Sequence, residues 1–225
     1  MSEILEYLAD LTQNNNREWY HANKERYRWA NAEFERLIDA LILAIGEFDG
    51  SVIHNAPKDL TFKLVRDTRF SRDKSPYNPT FRAHISSAGK LPIPVGYYIL
   101  LTPGNRSFLG GGLFASMFQD ATAMMRNTIA ASGKEFESII SEKAFVEHFT
   151  VKGEALKNIP KGYDTACPGA EYLKNKSWYL EYPIPDETIA DTDGFVEQVA
   201  RIFQAMKPFN DYLNAALVDF KMPAR

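Results

Sequence analysis

Apolar residues recur at three- and four-residue steps in the first quarter of the chain: Tyr27, Ala30, Phe34, Leu37, Ile38, Leu41, Ile45 and Phe48. Lys24, Glu25, Arg28, Glu35, Arg36 and Asp39 fill much of the remaining surface. One apolar stripe at helical spacing predicts a long helix over 16–46 that buries a single side. Asn15 with Glu18 three positions on reads as its capping box, and Gly46 to Gly50 should end it. A shorter amphipathic helix is expected over 3–11. Near the other end Phe195, Val199, Ile202, Phe203 and Met206 share a face, which Leu213 and Leu217 continue beyond Pro208. Proline lacks an N–H and crowds the preceding turn, so a break or kink is expected there.

Between these helices the period shortens. Segments 60–70, 79–87, 95–102, 106–112 and 177–183 are short, rich in β-branched or aromatic residues, and bounded by Pro, Gly and Asn, as strands are. Gly96 to Gly112 reads as two antiparallel strands joined at Pro103-Gly104-Asn105. Short connections favour antiparallel pairing, because parallel strands need long crossovers. Ser116 and Gln119 form a second capping box that opens a helix to about residue 132. Residues 134–149 read as one or two short helices and 168–175 as a further turn. Helices on both sides of a run of strands predict an α+β fold: a central, largely antiparallel sheet from strands near 61–68, 80–87, 95–102 and 106–112, with the long N- and C-terminal helices packed on it.

Composition adds limits. The chain has 225 residues, 45% hydrophobic and 13% aromatic, enough for a substantial core. It shows no repeat or long linker, so a single domain over 1–225 is expected. The N-terminal MSEILEYLADL has no basic region before a long apolar run and does not read as a signal peptide. LIDALILAI at 37–45 is too short to span a bilayer and contains Asp39, so no membrane partner is expected. One cysteine, Cys167, permits no internal disulfide, which fits a cytoplasmic location. The four histidines form no ligand pair, and no metal or cofactor is expected. His84 lies two residues after Arg82 and so shares its strand face.

The net charge of −3 conceals an asymmetry. Residues 58–84 hold seven cations (Lys58, Lys63, Arg66, Arg69, Arg72, Lys74, Arg82) and three acids (Asp59, Asp67, Asp73), a net +4 against −7 for the remainder. Nucleic-acid binding rewards an extended basic surface and is disfavoured. A compact basic pocket on an acidic body suits a small phosphate- or carboxylate-bearing ligand. The candidate binding residues are Lys63, Arg66, Asp67, Arg69, Lys74, Tyr77 and Arg82. Arg69 would fork onto the anion, Lys74 add a point charge, Tyr77 donate a hydrogen bond, and Asp67 orient an arginine. Strand alternation would set Phe62, Leu64, Arg66, Thr68 and Phe70 on one face, with Lys63, Val65, Asp67 and Arg69 on the other. Whether catalysis follows is left open. The alternative is a non-catalytic interaction module in which these charges form a structural ion-pair network. Metal-dependent phosphodiester cleavage is set aside, since it needs converging carboxylates. The glycines at 110–112, just before the helix opening at Ser116, can cradle phosphate. A bulge or tight strand exit is the favoured reading of that run.

RDTRF at 66–70, followed by Lys74 and Tyr77, resembles the signature of Domain of Unknown Function family 2461. NNNREWY at 14–20, GGGLF at 110–114, IPKGYD at 159–164 and KNKSW at 174–178 fit in the same order, so the resemblance covers nearly the whole chain. Lys63 stands where the family pattern usually opens with an arginine, keeping the cation but losing the planar fork. Cys167 precedes Pro168 where relatives are expected to carry a histidine. The resemblance implies a single-domain bacterial protein and brings no activity with it.

Overall fold

Alternation along four short segments builds the sheet. In the computed structural model, which describes residues 2–114, 118–190 and 194–223, these are β1 (Phe81–Ile85), β2 (Tyr97–Leu101), β3 (Ser107–Leu113) and β4 (Trp178–Ile184). They lie in the order β1-β2-β3-β4, each pair antiparallel. Phe81, Ala83, Ile85, Tyr97, Ile99, Leu101, Leu109, Trp178 and Leu180 are buried on one side. Their neighbours Arg82, His84, Tyr98, Leu100, Phe108, Tyr179 and Glu181 are half-buried on the other. The β2–β3 turn falls at Pro103–Asn105 as expected, with Asn105 left-handed at φ 57°. The Asp186 carboxylate closes it by accepting from the amides of Gly104 (2.7 Å) and Asn105 (3.0 Å).

Segment 60–70 is not a strand of this sheet, contrary to the alternation; the remaining place belongs to β4. Thr61 bridges Ala83, and Phe62 N donates to Arg82 O at 3.0 Å. The chain then pairs with its own return leg, Arg66 N to Pro76 O at 2.9 Å and Asn78 N to Leu64 O at 2.7 Å. Pro76 and Pro79 lack the donors that a continued ladder needs. The expected common face dissolves accordingly: Leu64 is buried and Phe70 is 95% exposed. On the far side of the sheet Lys152 bridges Tyr179 of β4.

The helices are α1 (Ser2–Gln13), α2 (Arg17–Ala22), α3 (Lys24–Gly46), α4 (Pro57–Leu60), α5 (Gln119–Ser141), α6 (Lys143–Val146), α7 (Asp186–Ala190) and α8 (Phe195–Ala216). The expected helix over 16–46 is two helices. Asn23, at φ −104°, sends its side-chain and backbone N–H to Trp19 O, a local bond that competes with helix continuation. The cap is Asn16, whose Oδ1 accepts from Trp19 N at 2.9 Å, rather than Asn15. Ser116 of the second expected capping box lies outside the described residues. α5 departs from helical geometry at Ser132, close to the expected boundary. α8 runs on through Pro208; Pro208 and Gln204 are both exposed, so the carbonyl that loses its donor faces water.

α3 and α8 cover the buried side of the sheet. Phe34 stacks on Phe81 at 5.2 Å, and Phe203 lies 5.2 Å from Tyr97. α5 backs α8 through Phe136 and Phe209. Fully burying each such side chain contributes roughly 1.5–3 kcal/mol. Two asparagines one turn apart tie α8 to the sheet. Asn210 accepts from Gly112 N (2.9 Å) and donates to Gly96 O (3.1 Å); Asn214 accepts from Val95 N (2.8 Å) and donates to Val95 O (3.0 Å). Gly111 makes room, since a Cβ there would sit 3.0 Å from Met206 Sδ.

Candidate functional site

The charged segment 63–77 folds as a loop braced from within. Arg66 pairs with Asp73, and donates to Ser71 Oγ (3.2 Å) and Ser75 O (3.3 Å). Asp73 also accepts from Ser75 N (2.9 Å) and Oγ (2.7 Å). These hydrogen bonds, those of Ser75 first and then Arg66, hold its carboxyl far below the usual carboxylate range. Asp67 pairs with Arg69, whose Nη2 lies 2.6 Å from Oδ2, and its pKa is lowered for that reason. Lys74 Nζ donates to Thr68 O at 2.9 Å.

Tyr77 leaves this group. It is 5% exposed, and its ring stacks on Tyr20 at 4.1 Å. Arg69 and Lys74 sit on exposed loop surface, so the three are not brought into one pocket. Lys63 is exposed. Arg82, on β1, points to the open face of the sheet, where its guanidinium carbon lies 5.0 Å from the Phe62 ring centroid.

That open face carries a cavity of about 150 Å³, lined among others by Phe62, His84, Lys90, Tyr98, Gly112 and Phe114. The volume matches one aromatic ring, as apolar cavities of that size hold benzene. Lys90 approaches the same ring as Arg82, its Nζ 6.0 Å from the Phe62 centroid, and donates to Thr61 O at 3.0 Å. Among the described residues neither Arg82 nor Lys90 has a carboxylate partner. Phe114 stacks on Tyr179 at 4.3 Å beside them. Gly112, at φ 88°, lets the strand pass close to β4, where a Cβ would collide with Trp178 O.

Burial sets the protonation of the cavity wall. It pushes His84 down to about 4, partly offset by hydrogen bonds to the backbone at Gly89 and Leu91, so the imidazole is neutral at pH 7. Burial also raises Tyr98, opposed by the facing Arg82 guanidinium that hydrogen-bonds with it. The wall therefore offers a protonated phenol, a neutral imidazole and the Lys90 cation, with Arg82 beside it over the Phe62 ring.

The family model described as Conserved hypothetical protein (DUF2461) matches residues 3–212. The chain belongs to this family. Neither curated proteins nor solved structures give a match. The matched span of this DUF2461 chain takes in the braced loop and the whole cavity wall. No helix among its described residues is long and apolar enough to cross a membrane.

Sequence reasoning placed Arg82 in the site and noted His84 on its face. It passed over Lys90, Tyr98 and Phe114 as binding groups. Tyr98 was accessible, because pairing of β1 with β2 sets it opposite His84. Lys90 and Phe114 lie in connections whose return to the sheet no local pattern announces. The glycines at 110–112 are strand residues serving close backbone approach, in keeping with a packing role.

Proposed function

We propose that this protein binds a small phosphate- or carboxylate-bearing ligand in the cavity on the open sheet face. Arg82 and Lys90 would hold the anionic group, and the ligand's apolar body, about one ring in size, would lie against Phe62, Tyr98 and Phe114. One observation carries this reading: two cations flank the same aromatic ring at the cavity, and neither is neutralised by a carboxylate among the described residues. A half-buried guanidinium that has no carboxylate beside it gains most from an anion that accepts two parallel hydrogen bonds. The neutral His84 and protonated Tyr98 support recognition over proton transfer at pH 7, since a general base works best with a pKa near the operating pH. The lone Cys167 supports a reducing, cytoplasmic setting.

The test is calorimetry and thermal shift with benzoate and phenyl phosphate as probes. Wild type is expected to bind at least one. Arg82→Ala should weaken binding by about 1.5–3 kcal/mol, roughly 10- to 150-fold, and Arg69→Ala should leave it intact. No heat and no stabilisation with either probe would overturn the reading. Loss on Arg69→Ala alone would move the site to the 63–77 loop.

A second reading, a non-catalytic interaction module, draws support from that loop. Its Arg66 and Arg69 are engaged internally while an aromatic side chain is held out at 95% exposure.

A further inference from the structure

Residues 63–74 carry five cations and two carboxylates. Both carboxylates are spent on Arg66 and Arg69. Lys63, Arg72 and Lys74 stay exposed and without a carboxylate partner among the described residues; in the same segment Phe70 is 95% exposed, with the Arg69 guanidinium carbon 5.8 Å from its ring centroid, and Val65 is 61% exposed. The internal bonds of Arg66, Asp67, Asp73 and Lys74 resist collapse of the loop onto its own body. A braced loop that presents a bare phenyl ring among cations fits a partner with an apolar slot and an acidic rim.

The same chain has an acidic groove in which Trp29 supplies the exposed aromatic surface. A groove of about 450 Å³ between α1 and α3 is lined by Glu3, Glu6, Tyr7, Glu25, Arg26 and Trp29. Trp29 is 41% exposed in it. Arg26 is committed to Asp10 at 2.8 Å and Glu25 to Arg28 at 2.5 Å, while Glu3 and Glu6 have no cation partner among the described residues. Loop and groove flank one aromatic layer. Tyr77, at the foot of the loop, stacks on Tyr20; Tyr20 meets Tyr27 at 5.3 Å; Tyr27 meets Tyr7, in the groove wall, at 6.2 Å.

We propose that a second copy of this chain is the partner: Phe70 of one copy enters the Tyr7–Trp29 groove of the other, with Lys63 and Arg72 set against Glu3 and Glu6. This goes beyond the small-ligand reading and does not depend on it. A two-fold axis makes the contact twice, because each copy supplies one loop and one groove. Each phenylalanine buries about 150–250 Å², so even two such contacts fall short of the roughly 1,200–2,000 Å² of a stable interface. The dimer is therefore weak, and added salt weakens it further by screening its rim.

The experiment is sedimentation equilibrium from micromolar to millimolar protein, at low and high salt, with thermal melts to verify that the variants fold. Wild type is expected to dimerise at low salt. Phe70→Ala should raise the dissociation constant at least about tenfold. Two charge reversals, Glu3→Lys with Glu6→Lys and Lys63→Glu with Arg72→Glu, should each abolish pairing alone. Mixed together they should form a heterodimer, because each loop then meets a groove of opposite charge. A wild type that stays monomeric at millimolar concentration overturns the proposal, as does association indifferent to Phe70→Ala. Wild type that pellets with anionic phospholipid vesicles, or binds a single-stranded oligonucleotide, without self-association also overturns it.

Discussion

The side-chain amide of Asn15 grips the peptide of Tyr77 from both sides, donating to its carbonyl at 2.9 Å and accepting from its N–H at 3.1 Å. The two residues are 62 positions apart, and the bond fixes the foot of the charged loop to the N-terminal helices. The Tyr77 ring, stacked on Tyr20, seals the same junction.

Asn15→Ala orphans two polar groups on a buried residue. It should cost about 1–3 kcal/mol in urea unfolding and speed exchange of the Tyr77 amide. Asn15→Asp keeps the acceptor but loses the donor, and should fall between wild type and alanine. An unchanged unfolding midpoint in Asn15→Ala would show that the clamp adds nothing.

Acid should loosen the loop below about pH 4. Asp73 is depressed by Ser75 and Arg66, and Asp67 by Arg69. A carboxyl whose pKa is lower folded than unfolded adds stability above its unfolded pKa, about 3.9, and loses it as pH falls through the folded value. Wild type should therefore exceed Asp73→Asn in melting temperature at neutral pH, with the gap closing below about pH 4. A gap that stays constant with pH would contradict this.

His84 acts in a different window. Its folded pKa is about 4 against an unfolded value of 6.5. Between those values the unfolded chain binds the extra proton, so stability rises with pH across that window and levels off above it. The change amounts to at most about 3 kcal/mol. His84→Gln should flatten that slope in urea titrations run at several pH values.

Replacing Gly112 by alanine strains a left-handed backbone and drives a methyl group into Trp178 O. The backbone alone costs about 1–2 kcal/mol, and the collision adds to it. Asn210→Ala should be comparable, because Gly112 N–H and Gly96 C=O lose their partner in the core. Gly112→Ala should shift the urea midpoint beyond Gly162→Ala, which shares the left-handed backbone at φ 96° but whose Cβ meets nothing within 4 Å.

The long helices were legible because an apolar stripe at positions such as Phe34, Leu37, Ile38 and Leu41 declares one buried side whatever it packs against. Their joints were less so. Asn15 and Asn16 are chemically identical neighbours, and only the distant Tyr77 decides which one caps. Segment 60–70 alternates like a strand, yet strand formation needs a partner, and Pro76 and Pro79 withhold the donors. The pairing of β3 with β4 spans a gap that no local pattern encodes. The same holds for the site. The sequence located an excess of positive charge, but from that segment the cavity wall takes Phe62 and His84, with Arg82 beside it over the Phe62 ring. The rest of its wall is assembled by long-range pairing, which sets Tyr98 opposite His84 and carries Gly112 of β3 to the same wall.

The bridges of Thr61 to β1 and of Lys152 to β4 have a further consequence. A sheet of four strands ends in two rows of backbone donors and acceptors, and such rows recruit foreign strands into aggregates. Here each row is met by a short irregular segment: Thr61 pairs with β1, while 152–156 pairs with Tyr179 and continues along 174–176. Lys152 adds a charge at the rim, fixed to Glu181 at 2.7 Å. The arrangement guards the protein against templated fibril growth.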